Sequence, residues 1–367
     1  PYLEGGAHLL KLMVWEKEGL APVANAAVLE DEMRDLLEEA VLSRGDFTRI
    51  QQAMQKAKRG EDIYVAALGG SITEGAGASG EEFRYATLVK DWWERKFPDS
   101  EIQFTNAGIG ATNSYLGVHR VWENVLSKGD VDFMVIDYGV NDAADESIRP
   151  QYEQLVRTVL KEKNAPGVML LFMTLNTGGN SQAEQGAIGE HYGLPMISFR
   201  DAIWPKIQDG TFTWESLFAD TVHPNNGGHL LISRMIGYVL DEIYMGLPEE
   251  PVSVDEALPE LMYEPEMYAN GRVLNSDDIT ISQTPGWAVD DTEKVARFWR
   301  ESFAPGWVIT QPNQTVEFKV TGANIGLAYH YSHAGDMGRV AVSVDGGEEV
   351  VVDGHYTEGT YSYPKGT

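Results

Sequence analysis

The sequence predicts an α/β protein: a doubly wound, five-stranded parallel sheet, preceded by a helical extension and followed by an all-β domain of sandwich or jelly-roll type. Three observations carry this expectation. Between residues 62 and 246, short apolar runs alternate with amphipathic helix patterns, as in a parallel sheet covered on both faces. Beyond residue 265 the helix period gives way to alternation in twos. The chain has 367 residues, 43% of them hydrophobic, which is enough for two cores rather than one.

Taken in order, residues 1–60 read as helical, with 1–45 set apart as an extension. "EDEMRDLLEEAVL" places Met33, Leu36, Leu37 and Val41 at helix spacing. "DFTRIQQAMQKAKRG" is expected to be a second helix, with Asp46 as N-cap and Gly60 as its stop. Packing or a dimer contact is the default role here, so a homodimer stays open. An α/β domain over 46–247 follows. "DIYVAALGG", "IQFTNAG", "VDFMVIDYG", "GVMLLFMTLN" and "LPMISF" are its strands. "EEFRYATLVKDWWERKF", "SYLGVHRVWENVL", "YEQLVRTVLKEK", "AEQGAIGEHYG" and "NGGHLLISRMIGYVLDEIYMG" are its helices. Residues 248–264, rich in proline and carboxylates, read as a linker or an irregular wrap along the surface. In 265–367, "QTVEFKV", "NIGLAYHYS", "GRVAVSVDGG" and "EEVVVDG" are the expected strands. "YSYPKGT" reads as turn residues, so the domain's last strands are expected to lie outside this sequence.

Charge and cysteine usage narrow the function. With 56 acidic and 28 basic residues the formal net charge is -28. Such a surface repels phosphates, which argues against nucleic acid and anionic membranes and favours a neutral substrate. There is no cysteine, so disulfides, thiolate metal sites and cysteine nucleophiles are excluded. No apolar stretch approaches the ~18 residues of a membrane span. The first residues, "PYLEGG", carry neither methionine nor a basic-then-apolar leader. A cytoplasmic location is preferred over secretion, with a trimmed leader left open.

The chemistry gathers at the carboxyl ends of the strands, where open α/β sheets place their sites. After the first strand comes Gly69-Gly70-Ser71. After the second comes "NAGIGATNS", after the third "YGVND" ending in Asn141 and Asp142, and before the last helix "DTVHP" with Asp220 and His223. These are the parts of acyl transfer. Ser71 needs a base to become nucleophilic. His223 is positioned to take its proton, and Asp220 to hold the other ring nitrogen. The N–H of Ser71, an N–H of the 108–111 loop and the Asn141 side chain would serve the oxyanion. One such donor is worth about 3–4 kcal/mol of barrier. Gly70 and Gly108 support the site by admitting close backbone approach.

These blocks resemble those of the SGNH (GDSL-like) hydrolase superfamily, over roughly residues 46–246. Its four signature residues fall, in the family's order, on Ser71, the 108–111 loop, Asn141 and His223. Two positions depart: the family's usual aspartate before the serine is Gly70, and its oxyanion glycine, counted from Asn106, falls on Ala111. A main-chain donor survives the second change, and Gly110 remains the alternative donor. The layout from "KRGEDI" through "LGGSIT", "NAGIG" and "HYGLPMIS" to a trailing β domain is similar to bacterial carbohydrate esterases. The resemblance implies a flavodoxin-like SGNH hydrolase fold and removal of acetyl groups from polysaccharides such as xylan or mannan. It implies a serine acyl-enzyme with no cofactor and no metal.

Two rivals stand beside this reading. One is a lipase, thioesterase or lysophospholipase on the same scaffold. The other is a carbohydrate-binding protein whose catalytic block is idle. Asp142 reads as structural, and His119, His191 and His229 as packing or surface residues. Arg84 and Arg120 are expected to form ion pairs in so acidic a chain. His330, His333 and His355 read as exposed loop histidines rather than a metal site. The aromatic residues of the last domain, Trp287, Trp299, Trp307, Tyr329, Tyr331, Tyr356, Tyr361 and Tyr363, divide between core packing and stacking on sugar rings. No acidic loop there has calcium-ligand spacing. "NQT" at Asn313 is a glycosylation sequon in form only.

Overall fold

The computed structural model describes residues 26–263, 268–279, 281, 286–290, 305–309, 311–322, 325–331, 337–355 and 363–366. Residues 1–25 and the expectations for Trp299, His333, Tyr356 and Tyr361 lie outside the described residues.

The sheet is built from β1 (Val41–Ser43), β2 (Ile63–Gly69), β3 (Ile102–Gly108), β4 (Phe133–Asp137), β5 (Gly167–Phe172) and β6 (Met196–Ser198), in the order β1-β6-β5-β4-β2-β3. Five strands are parallel, as the alternating pattern predicts. The sixth, β1, is antiparallel to β6 and corrects the helical reading of this stretch. Helix α1 (Ala26–Glu39) stops before it, and Val41 pairs with Ile197. A three-residue edge strand is too short to show a period, which is why the pattern merged it with the helix. The second helix, α2 (Thr48–Lys58), has Phe47 at its N-cap, not Asp46. Asp46 still serves the first turn, because its Oδ1 accepts from Thr48 N at 2.8 Å.

Parity decides which side chain faces which layer. In β2, Ile63, Val65 and Ala67 enter one core, and Tyr64, Ala66 and Leu68 the other. Strands β4 and β5 divide the same way: Phe133, Val135, Met169 and Leu171 on one face, Met134, Ile136, Val168 and Leu170 on the other. The first face is covered by α1, α2, α4 (Tyr85–Lys96), α8 (Phe199–Gln208) and α10 (Asn226–Met245). The opposite face is covered by α5 (Ser114–Asn124), α6 (Arg149–Leu160) and α7 (Gln182–His191). A one-turn helix α3 (Ser71–Glu74) follows β2, and another, α9 (Trp214–Leu217), precedes α10. Helices α8 and α9 are absent from the sequence reading; α9 is a single turn, and α8 begins at Phe199, directly on the apolar run of β6.

Strand β2 lies between β3 and β4, so the chain leaves it on one side and returns on the other. That reversal opens a crevice at the carboxyl ends of these three strands.

Residues 248–263 form neither helix nor strand and lie against the sheet domain. Gln55 Nε2 donates to the carbonyls of Pro248 at 2.9 Å and Glu250 at 2.7 Å, and its Oε1 accepts from Val252 N at 3.0 Å. The buried Glu153 takes the N–H groups of Met262 and Tyr263. Beyond, the described residues are all-β, in three two-stranded antiparallel sheets. These pair β7 (Trp287–Asp290) with β8 (Gly306–Ile309), β9 (Ala328–Tyr331) with β12 (Tyr363–Gly366), and β10 (Arg339–Val342) with β11 (Val350–Asp353). Strand β12 corrects the reading of "YSYPKGT" as turn residues. Residues 314–320, expected to be a strand, are not one.

Gln55 is almost fully buried and makes three bonds to one segment, so Gln55→Ala should release it. The expected result is faster proteolytic cleavage within 248–258 and a stability loss of about 1–3 kcal/mol. An unchanged cleavage rate would show that this segment is held by other contacts.

Candidate active site

Ser71 opens α3 directly beyond the end of β2, at the crevice. The backbone turns there over Gly70, and a Cβ at Gly70 would overlap the Asn141 side chain, its Nδ2 at 2.7 Å. The Asn141 amide therefore lies against the main chain just before the serine. Among the described residues its Nδ2 has no acceptor. The turn also closes on the next strand. A Cβ at Gly108 would overlap the backbone of Thr73 and Glu74, and Asn106 Nδ2 donates to Thr73 O at 2.7 Å.

His223 arrives from the far side of the chain. An antiparallel bridge between Phe218 and Pro224, with Ala219 N donating to His223 O at 2.8 Å, folds the loop before α10 into a tight hairpin. His223 Nε2 lies 2.8 Å from Ser71 Oγ. Its Nδ1 lies 2.7 Å from Asp220 Oδ2, while Asp220 Oδ1 accepts from the N–H groups of Val222 and His223 at 2.8 Å each. Asp220 as a carboxylate only accepts, so Nδ1 carries the ring proton and Nε2 is left to accept from the serine hydroxyl. Burial would raise the pKa of Asp220, but the bonds from the His223 ring and from the two N–H groups outweigh it and hold it below the usual value. The Asp220 side chain is 52% exposed and that of His223 26%. Trp214 Nε1 donates to Asp220 O, and its ring stacks on Phe218 at 3.7 Å.

The loop after β3 is held by its backbone N–H groups. Ile109 N donates to Gly69 O at 3.1 Å, Gly110 N to Glu74 Oε2 at 2.8 Å, and Thr112 N to Ile109 O at 3.3 Å. Ala111 N alone in this run has no acceptor among the described residues. Ala111 sits at φ 59°, in the left-handed region where glycine is usual. The N–H of Gly110, the alternative donor, is already committed to a carboxylate.

Other expectations resolve around the same strand ends. Asp142 is structural: its Oδ1 accepts from Ser114 N at 2.8 Å and its Oδ2 from Gln185 Nε2 at 2.8 Å. His229 is buried; its Nδ1 accepts from Tyr85 N at 3.3 Å, so its Nε2 donates to Ala76 O at 3.1 Å. Burial pushes its pKa down to about 4, so it stays neutral. Arg84 does pair with Glu81, at 3.4 Å. Arg120 is the correction. It is fully buried and its hydrogen bonds go to carbonyls and neutral side chains, not to a carboxylate. Helix spacing contains the signal for this, since Leu116, Gly117, Val121 and Asn124 place Arg120 on the buried side of α5. Glu74 and Trp214 were also missed as residues that touch the site's backbone.

Beneath the serine turn lies Asp137, the last residue of β4. Thr73 Oγ1 is 3.4 Å from its Oδ2 and 2.7 Å from Tyr85 Oη, while Asp137 Oδ1 has no partner.

Residues 67–231 match the family model described as GDSL-like lipase/acylhydrolase. No curated protein sequence matches the chain. Among solved structures, a two-domain esterase active on acetylated mannans is similar at 30% identity, with 90% of this chain and 89% of that one covered and a TM-score of 0.79. A structure of a two-domain esterase active on acetylated mannans co-crystallised with mannopentaose gives 29% identity, 90% and 88% coverage, and a TM-score of 0.79.

Burial pushes the Asp137 carboxyl up to about 7. Between its ordinary value and that one, the unfolded chain ionises while the folded chain does not. Folding stability therefore falls as pH rises through this interval and levels off above it. Asp137→Asn removes the titration. The Tm difference between variant and wild type should move in the variant's favour from pH 5 to pH 8, and a constant difference would contradict the assignment.

Proposed function

Since the chain belongs to the GDSL-like lipase/acylhydrolase family and is a carboxylic ester hydrolase, we propose that it removes O-acetyl groups from a neutral oligo- or polysaccharide, using Ser71, His223 and Asp220. The observation that carries this reading is the unbroken line from Asp220 through His223 to the Ser71 hydroxyl, at 2.7 and 2.8 Å.

In the first step Ser71 Oγ adds to the ester carbonyl as its proton passes to His223 Nε2. The imidazolium so formed is held by the Asp220 carboxylate. The oxyanion of the tetrahedral intermediate lies among the N–H of Ser71, the N–H of Ala111 and the Asn141 amide. When the carbon–oxygen bond to the sugar breaks, His223 returns the proton to the leaving hydroxyl, and an acetyl-serine remains. Water then adds to that ester while His223 takes its proton. Collapse releases acetate and restores the serine. No step requires a metal or cofactor.

The choice of substrate rests on two supports. The structural match that spans both parts of the chain is to an esterase active on acetylated mannans. The net charge of -28 disfavours an anionic polymer.

Ser71→Ala should abolish turnover of 4-nitrophenyl acetate and leave the fold intact; an active variant would end the assignment. Asn141→Ala should lower kcat by about 10²–10³-fold, as for loss of one oxyanion donor. Acetate release from a panel of acetylated mannan, xylan and pectin should show pectin as the poorest substrate. A preference for octanoyl over acetyl esters would move the reading to lipases.

A further inference from the structure

Arg120 is an unusual residue for its place. It is among the largest fully buried side chains in the described residues, in a protein with twice as many acidic as basic residues. Burying a guanidinium without a hydrogen-bonded carboxylate is expensive, and such groups are retained where their geometry is needed. Its five acceptors identify that geometry. Nη1 donates to Ala107 O at 2.7 Å and Asn124 Oδ1 at 3.0 Å. Nη2 donates to Gly69 O at 2.8 Å, Tyr138 Oη at 2.8 Å and Thr112 Oγ1 at 3.3 Å.

Gly69 O is the carbonyl two residues before Ser71 and also accepts Ile109 N. Ala107 and Thr112 bracket the loop that presents Ala111 N. Tyr138 follows β4, on the path to Asn141, whose own N–H bonds Tyr138 O at 3.0 Å. One planar fork thus reaches the three strand ends that carry the three oxyanion donors. From the other side of the same loop the Glu74 carboxylate holds Gly110 N, leaving Ala111 N as the group without a partner.

We propose that Arg120 is a positioning residue for the oxyanion site: its guanidinium locks the ends of β2, β3 and β4 into the spacing that the tetrahedral intermediate needs, and sets a fixed positive charge behind it. This rests on the serine-esterase reading above. Its effect falls on the transition state, because the donors meet a full negative charge only there. A lysine keeps the charge but not the fork.

The test compares Arg120→Met, Arg120→Lys and Tyr138→Phe with wild type on 4-nitrophenyl acetate, and measures inhibition by phenylboronic acid, which forms an anionic tetrahedral adduct with a reactive serine. Thermal melting identifies the folded variants. A loop displaced by about 1 Å loses on the order of 10²-fold in rate. The expected order of kcat is wild type, then Tyr138→Phe, then Arg120→Lys, then Arg120→Met, with KM within about threefold throughout. Boronate affinity should fall by the same factor as kcat/KM, which a purely structural role would not produce. Wild-type kcat and boronate affinity in a folded Arg120 variant would overturn the proposal. So would a loss confined to KM. If neither Arg120 variant folds, Tyr138→Phe decides, since unchanged kcat and boronate affinity there overturn it as well. Ser71→Ala run in parallel separates the two readings. An inactive Ser71→Ala beside fully active Arg120 variants refutes this inference alone, whereas an active Ser71→Ala refutes the esterase reading.

Discussion

The site depends on one steric constraint: the turn that carries Ser71 lies directly against the end of β3, with no side chain between them. Gly108 faces the backbone of Thr73 and Glu74, and any Cβ there would collide with it. That closeness lets Asn106 reach Thr73 O and lets Gly110 N reach Glu74. Gly70 makes the same concession towards Asn141. The aspartate that the wider superfamily usually has before the serine would point its Cβ into that amide unless the loop moved. Glycine at this position therefore belongs with the observed seat of Asn141.

Around this contact the interior is more polar than a packing argument would ask for. Asp137 is buried with an unpartnered oxygen, and Arg120 is buried with an unpartnered Nε. They do not hydrogen-bond each other. Burial raises the Asp137 carboxyl to about 7, so below that pH the floor beneath the serine is largely uncharged. The guanidinium stays charged, because arginine has basicity in reserve. Arg120 thus places a positive charge close to the serine turn, although the molecule as a whole is strongly acidic.

Much of this was legible in the sequence, for identifiable reasons. Parallel strands buried on both faces read as continuous apolar runs, so β2, β4 and β5 stand out, whereas β3, an only partly buried edge strand, is legible from its alternation with helix patterns. Site residues at strand ends follow from the doubly wound topology, so the sequence points to Ser71, Asn141, Asp220 and His223 at one edge of the sheet. What stayed hidden was geometry that composition does not encode. Edge strand β1 is too short for a period. Choosing between Gly110 and Ala111 required knowing where each N–H points, and only the Glu74 contact distinguishes them. Arg120 was read as an ion-pairing residue because a basic side chain in an acidic protein usually is one. Its position on the apolar side of α5 argued otherwise, and the helix period outweighs composition when the two disagree.

Helix α5 also shows how the last part of the chain meets the site. Its inner side carries Arg120 and Asn124, and its N-terminus, capped by Asn113, begins two residues after Ala111 is passed. Its outer side carries Tyr115, His119 and Trp122. Tyr268 packs edge-on against Tyr115 and His119 at 6.0 Å each, and Arg272 lies 4.2 Å over the Trp122 ring. Between them, Gly271 approaches the backbone of Val118 so closely that a Cβ would sit 2.9 Å from its carbonyl oxygen. The segment entering the β domain thus rests on the same three-turn helix whose inner side, through Arg120, binds the carbonyls of Gly69 and Ala107.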